Sequence, residues 1–430
     1  MLVAVLFGIL LSTHEASASP MEALASPANA PPDTTDDPND VPYATDRSVA
    51  YHVLKMPAYV VYGATRPLGW TVRYAEREFP ALFEPRRPTR GVAPIVELGG
   101  PVGVSGGLVL YDNSVFGSSH SARLKGVYGS RSFYEVGASY SIPGLLGPES
   151  ALSVDGSFSS NPRDRFFLRG RLSDEGADEV EFAIQQLRVG PAVAYSIGAN
   201  MDLSHSLRYR YVDATPADTD EGDRFRNRAP GTPGLGEQHV VTVQTQWSLD
   251  ARTRQHARFV RGTFLQVSGA YTHDLQSRQF RYGRYVAELR QYLPLSVLGP
   301  ARRLVLRGRL EQVEPTNSGK AVPFYALPTL GSREALRGFP SERFASNGAL
   351  VFNAEYRYPI WNLWDAVLFV DGGQVFRELE DVNVKDVEVS YGGGIHLRSP
   401  KSLNFRFEVA GSTEGARVIL TVSPAFRSLL

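Results

Sequence analysis

The chain of 430 residues contains no cysteine. Disulfide bonds and thiol catalysis are therefore excluded, and a lipoprotein anchor is not expected. Charge of one sign is not in excess either, because 45 Lys and Arg balance 45 Asp and Glu. Since the net charge is zero and no basic patch is interleaved with aromatics, the sequence does not predict nucleic-acid binding.

Long hydrophobic runs are also missing. The longest, residues 2–11, holds about ten residues, which is too short to cross a bilayer as a helix. It is followed by Ala16-Ser17-Ala18, a small-x-small pattern typical of a cleavage site. We predict a secretory signal peptide over residues 1–18.

The next two stretches differ from each other in composition. Residues 19–46 are rich in Pro, Asp, Ala and Ser and are predicted to be a disordered linker. The acidic run at residues 33–37 lacks the ligand spacing of a calcium loop, so no metal site is predicted there. Residues 47–90 scatter aromatic and aliphatic side chains among charges. About forty residues cannot bury a sizeable core of their own. We therefore expect a periplasmic N-terminal helical segment that docks on the C-terminal part of the chain.

From residue 91 to residue 430 the pattern becomes one of strands and turns. The segment Arg303–Leu310 alternates with period two: three leucines fall on one face and three arginines on the other. Several other segments do the same, among them 203–211, 284–293, 349–358 and 403–409. Such alternation predicts strands that are apolar on one face only.

Two architectures produce strands of this kind, a soluble sandwich and an outer-membrane barrel with a wet, charged lumen. The segments are longer than strands of soluble proteins, and about sixteen of them fall between Val92 and Phe426. Compact connections alternate with long ones, as barrel topology requires. The predicted fold is all-β: a 16-stranded antiparallel transmembrane β-barrel with a short N-terminal helical appendage.

One connection, from Glu314 to Asn347, is unusually long for a compact domain. It is not of low complexity, and near its middle it carries Arg337-Gly338-Phe339. A planar cation next to a residue without Cβ suits a loop that folds back towards a carboxylate.

With the segments C-terminal to it, this tip resembles the bacterial surface antigen family, the BamA- and TamA-like outer-membrane barrels. Arg337-Gly338-Phe339 is similar to the tip of that family's sixth extracellular loop. The twelfth-strand motif is matched by Glu355-Tyr356-Arg357, and the thirteenth by Asp371-Gly372-Gly373. The last strand keeps the pattern of an insertion signal at Gly415, Val418 and Leu420. The family's assembly branch carries periplasmic POTRA repeats, whereas residues 19–90 show no repeat, so we expect a member without them.

The resemblance implies a loop–lumen lock, in which Arg337 enters the lumen and pairs with acidic groups on the twelfth and thirteenth strands. By alternation, both Glu355 and Asp371 can point inward. Gly338 and Phe339 complete the tip. The alternative is that the two carboxylates line a solvated pore and pair with arginines nearby.

The function implied by the resemblance is assistance to the insertion or translocation of proteins, or lipids, at the bacterial outer membrane. Outer-membrane lipids, lipopolysaccharide and client outer-membrane proteins would be the partners. The alternatives are a plugged or narrow passive pore, and a structural surface protein. Residues 103–107 match Gly-x-Ser-x-Gly but lie inside a predicted strand instead of a strand-to-helix turn, so no catalytic residue is predicted. No cofactor is predicted.

Overall fold

The computed structural model describes residues 89–424 with nine gaps, at residues 101, 168–178, 255–259, 277, 299–301, 317–320, 333, 361–363 and 399–402. The predicted signal peptide (1–18) and linker (19–46) lie outside the described residues. So does nearly all of the N-terminal segment 47–90, since only its last two residues are described.

The described chain is built from strands. The first half holds β1 (Arg90–Gly100), β2 (Gly103–Asp112), β3 (Ser121–Gly129), β4 (Tyr134–Pro143), β5 (Ser150–Phe167), β6 (Glu179–Ile197), β7 (Met201–Pro216) and β8 (Gly236–Arg254). The second half holds β9 (Val260–Asp274), β10 (Arg281–Pro294), β11 (Arg303–Pro315), β14 (Gly348–Pro359), β15 (Trp364–Phe376), β16 (Glu388–Arg398), β17 (Leu403–Ser412) and β18 (Gly415–Pro424). Two short strands, β12 (Thr329–Leu330) and β13 (Phe344–Ala345), lie inside the long connection between β11 and β14.

Sixteen of these strands close into one antiparallel barrel, in which each strand pairs with its neighbours along the chain. Strand β11 pairs directly with β14, so the long connection between them is not part of the wall. Strand β1 pairs with β18 and closes the barrel. The predicted 16-stranded antiparallel barrel is therefore confirmed. The twelfth and thirteenth strands of the wall are β14 and β15.

Period-two alternation separates the two faces of the wall. Large apolar side chains remain exposed on the outer face: Tyr285 is 57% exposed and Val370 is 52% exposed. Their neighbours on the opposite face are buried charges such as Glu288 and Asp371. An apolar band outside and polar groups inside is the arrangement that a bilayer stabilises, because every backbone hydrogen bond is made within the closed wall.

Among the described residues, the closing seam is the shortest ladder of the wall. It joins three residue pairs: Val96–Val422, Glu97–Thr421 and Leu98–Leu420. By contrast, the ladders on either side of it, β1–β2 and β17–β18, each join ten pairs. A register shift between Leu98 and Gly100 accompanies this short pairing.

The long connection between β7 and β8 contains a helix that the sequence did not predict. Within the connection between β7 and β8, α1 (Asp220–Arg228) begins at Thr219, whose hydroxyl accepts a hydrogen bond from the Gly222 amide. Acidic residues in its first turn and arginines in its last turn suit the helix dipole. Its Phe225 is fully buried against Phe324 of the long loop and against Val180 and Phe182 of β6.

Among the described residues, no helix is long and apolar enough to cross a membrane.

Candidate functional site

The long loop between Pro315 and Gly348 has a compact core of its own. The β12–β13 ladder pairs Thr329 with Ala345 and Leu330 with Phe344. The turn after it needs Gly331, whose φ is +94° and whose Cβ position would lie 2.0 Å from the Pro340 carbonyl oxygen. Four loop side chains are buried together against wall residues Ala349, Val351 and Val375: Leu330, Leu336, Phe339 and Phe344.

This packing presents Arg337 to the charged face of the wall. Its Nε donates to Asp371 Oδ2 at 2.8 Å and its Nη2 to Asp371 Oδ1 at 2.5 Å, which is a forked contact. Its Nη1 donates to Glu355 Oε1 at 2.7 Å and to Glu408 Oε1 at 2.9 Å. The backbone amide of Arg337 also donates to Asp371 at 3.2 Å. We call Arg337, Glu355, Asp371 and Glu408 the Arg337 cluster.

The cluster is almost fully removed from solvent. The side chain of Arg337 is 2% exposed, and those of Asp371 and Glu408 are 0% exposed. The guanidinium carbon lies 3.5 Å from the centre of the Phe369 ring, so an aromatic face covers one side of the cation. Gly392 makes room for that ring, because a Cβ there would lie 2.6 Å from it.

A surrounding shell balances the charge. Arg357 donates to Glu355 at 2.7 Å, Arg406 donates to Glu408 at 2.6 Å, and His396 Nε2 lies 3.0 Å from Glu408. Three carboxylates thus meet three guanidinium groups. Burying charges costs free energy unless they are paired and hydrogen-bonded in this way.

The protonation state of the Arg337 guanidinium follows from these contacts. Burial alone would lower the pKa of its guanidinium. Its hydrogen bond to Asp371 and the charges of Glu355, Asp371 and Glu408 outweigh burial and raise that pKa. Arg337 is therefore held in its charged form.

Gly338 lets the tip approach the wall at backbone distance. A Cβ there would lie 2.6 Å from the Gly411 carbonyl oxygen and 2.8 Å from the Ser390 Cβ. On the other side, the Ser412 hydroxyl donates to the Gly338 carbonyl at 2.8 Å. Phe339 stacks edge-on against Phe344 with ring centres 5.2 Å apart. Arg337, Gly338 and Phe339 thus contact the wall by charge, by backbone and by apolar packing respectively.

The two strand motifs support the same contacts. Arg357 holds Glu355, and Gly373 leaves room for the loop, since its Cβ position lies 3.1 Å from Leu330 and 3.4 Å from Leu336. A Cβ on Gly372 would meet only Val387, at an ordinary 3.4 Å. The ring of Tyr356 lies against that of Tyr358, away from the cluster.

The proposed insertion signal lies on β18. Gly415 forms the turn from β17 with φ of +111°. Val418 is on the outer face, 45% exposed, and Leu420 pairs across the seam with Leu98. These residues are apart from the Arg337 cluster.

Three contributors to the cluster were not picked out from the sequence. Glu408 is the third carboxylate, Asn353 donates to Asp371 at 2.8 Å and to the Ala335 carbonyl at 3.0 Å, and Phe369 covers the cation. The alternation of residues 403–409 places Glu408 on the charged face, so its inward direction was available. Its proximity to Arg337 depends on barrel closure.

The structure does not form the other kinds of site considered from the sequence, a catalytic serine or a metal site, among the described residues. Ser105 is buried within β2, opposite Glu97 and Gly129, and not at a strand-to-helix turn. Within the described part of the chain, no group of three or more His, Asp or Glu side chains is placed to hold a metal ion.

The fold and its outward apolar band are those of a bacterial outer-membrane protein. A family model described as the Omp85 superfamily domain matches residues 114–416. The chain belongs to the Omp85 superfamily.

Solved structures agree on the fold. The chain resembles BamA from Haemophilus ducreyi lacking POTRA domains 1–3, with a TM-score of 0.59 and 16% identity over 79% of this chain and 70% of that one. It also resembles CdiB from Escherichia coli (0.53, 12% identity, 79% of this chain and 63% of that chain) and CdiB from Acinetobacter baumannii (0.51, 12%, 77% and 59%). The chain thus spans less than two thirds of either CdiB. No curated protein sequence matches it.

Proposed function

We propose that this barrel assists the insertion or translocation of proteins, or lipids, at the outer membrane by parting its wall between β1 and β18. The observation that carries the proposal is the seam, which joins three pairs among the described residues and lies between two ten-pair ladders. Parting these three pairs exposes fewer backbone groups than parting either neighbouring ladder. An edge strand exposed at the seam is a template on which a strand of another chain can pair.

We further propose that the long loop folds into the lumen and braces the wall through the Arg337 cluster. Arg337 contacts β14, β15 and β17, and Gly338 contacts the β17–β18 end through Ser412. Arg343 of the same loop pairs with Glu414 in the β17–β18 turn at 2.7 Å. The loop is thus attached to the hairpin whose second strand forms the seam. In this role it positions β18 for opening and does not turn over a substrate.

A plugged or narrow passive pore is the second candidate. It is favoured by the apolar packing of α1, β6 and the long loop, where Phe324 is in edge contact with Phe182 at 4.8 Å and with Phe225 at 5.8 Å. A barrel filled in this way could be a stable structural protein with little conductance.

The seam can be tested because the chain has no cysteine of its own. The variant Val96→Cys with Val422→Cys places a thiol pair across the seam. The matched control, Val409→Cys with Val418→Cys, places one on the outer face of the β17–β18 ladder. Each variant is co-reconstituted in vesicles with an unfolded client barrel. The client's folding rate is measured with the variant's thiol pair oxidised to a disulfide and again with it reduced.

We expect the seam crosslink to abolish the acceleration and reduction to restore it, while the control crosslink changes nothing. If neither crosslink slows folding, or if the wild type conducts ions stably without accelerating folding, the pore is the better account.

A further inference from the structure

The interior wall carries a group of three arginines outside the Arg337 cluster, two of which have no carboxylate partner among the described residues. They are Arg188 on β6 and Arg208 and Arg210 on β7, named here the arginine patch. Arg188 and Arg210 are directly opposite each other in the β6–β7 ladder, and Arg208 lies two residues away on the same face of β7. Like charges placed directly opposite on neighbouring strands are destabilising.

The neighbours of the patch do not neutralise it. Arg208 pairs with Asp155 at 3.2 Å, but Arg188 donates only to the neutral Gln186, at 2.6 Å. Arg210 lies over the Tyr325 ring at 5.1 Å. In the part of the chain that the structure describes, neither Arg188 nor Arg210 forms an ion pair.

Two of the three arginines in the patch have no carboxylate partner among the described residues. The nearby acid Glu135 is held by Lys125 at 2.7 Å, and Asp155 is held by Arg208. The Nε atoms of Arg208 and Arg210 are also buried without a hydrogen-bond partner among the described residues. Unsatisfied buried donors are costly.

We propose that the arginine patch binds a phosphate-type oxyanion carried by a soluble molecule in the lumen. Guanidinium groups present forked donors that match the oxygens of a phosphate. An anion held between Arg188 and Arg210 removes their repulsion and accepts hydrogen bonds from their guanidinium groups. Because the patch lies on the inner face, separated from lipid by the wall, the source is a dissolved phosphate and not a membrane headgroup. Tyr325 of the long loop covers one end of the site.

The full chain is purified in a detergent whose headgroup contains no phosphate. Inorganic pyrophosphate is the probe, and its binding is measured by isothermal titration calorimetry. We expect saturable binding by the wild type. Arg188→Gln and Arg210→Gln should each weaken it about tenfold, since a charge-assisted hydrogen bond contributes enough for one such step. The double variant should bind no pyrophosphate.

The matched control is Arg252→Gln, which removes an inward arginine of β8 that is already paired with Asp250 at 2.5 Å. It should bind like the wild type, and cold-gel heat-modifiability shows that each variant has folded. The proposal is overturned if the wild type does not bind, if the double variant retains the wild-type affinity, or if the control loses as much. It is also overturned if lysophosphatidylglycerol binds where pyrophosphate does not, because that result would place the ligand in the lipid phase.

Discussion

Arg337 and Asp371 form a forked ion pair between a loop and the wall of the barrel, with donor–acceptor distances of 2.8 and 2.5 Å and both side chains buried. Removing one partner of a buried pair leaves the other charge without compensation, which typically costs about 3–5 kcal/mol.

Arg337→Ala should therefore loosen the long loop and lower heat-modifiability on cold gels, with faster protease cleavage between residues 315 and 348. Arg337→Lys should rescue only part of the effect, because a single ammonium group cannot make the forked contact. Arg226→Ala removes an exposed ion pair of α1 and is the control, for which about 0–1 kcal/mol is expected. An Arg337→Ala barrel as heat-resistant as the wild type, with unchanged cleavage, would remove the bracing role.

Gly338→Ala tests the close contact between the loop backbone and the barrel wall, separately from the charge of Arg337. The added methyl group would lie within 3 Å of Gly411 and Ser390, so the tip must shift at a cost of about 1–3 kcal/mol. The control is Gly126→Ala on β3, where a Cβ meets nothing within 4 Å. Thermal unfolding should separate the two variants, and equal midpoints would show that the tip does not need its close contact.

The sequence predicted the architecture better than the site. Alternation in segments such as 303–310 reports directly which face of a strand is apolar, and so strand number and closure could be inferred. It also predicted that Glu355 and Asp371 share the charged face. It could not show that Glu408, 71 positions after Arg337, meets the same guanidinium, because that distance depends on how β17 closes the wall. Helix α1 was missed because its exposed face is strongly charged and only two of its residues, Gly222 and Phe225, are buried.

Topology is tested by tags. Epitopes inserted at Asp218 or Glu380 should be reached by antibody from outside intact cells, since both lie in long connections. Epitopes near Pro359 or Lys401 should be reached only after permeabilisation. Labelling of both sets in intact cells would contradict the prediction that the long and the compact connections lie on opposite sides of the membrane.

Glu342 in the long loop gives a pH prediction. Burial, followed by the nearby charge of Asp164, raises its pKa to about 8 from its usual 4.5. A carboxyl with a raised folded-state pKa keeps its proton when the unfolded chain has lost it. Its contribution to stability is therefore fully present below about pH 4.5 and is lost as the pH rises through about 8. Both acids line a cavity of about 240 Å³ together with Arg131 and Arg417.

We expect protease cleavage near residue 342 to increase between pH 6 and pH 9 in the wild type. Glu342→Gln combined with Asp164→Asn should be nearly independent of pH over that range, because both carboxyls of the cavity are then removed. A wild-type loop with the same cleavage rate at both pH values would show that Glu342 titrates normally.

The N-terminal segment 47–88 lies outside the described residues and remains a prediction from the sequence. If it packs on the periplasmic rim or enters the lumen, its deletion should raise conductance and antibiotic sensitivity. A correctly folded barrel without either change would favour a helix at the membrane interface instead.

The three carboxylates of the Arg337 cluster also link the complete seating of the long loop to the presence of β17 in the wall. They come from β14, β15 and β17, at 18, 34 and 71 residues beyond the arginine. A chain that has placed β14 and β15 but not β17 holds the guanidinium with one partner missing. The last contact forms only when the penultimate strand arrives, immediately before the wall can close. The long loop therefore makes all of its contacts with the wall only in a barrel that already contains the β17–β18 hairpin.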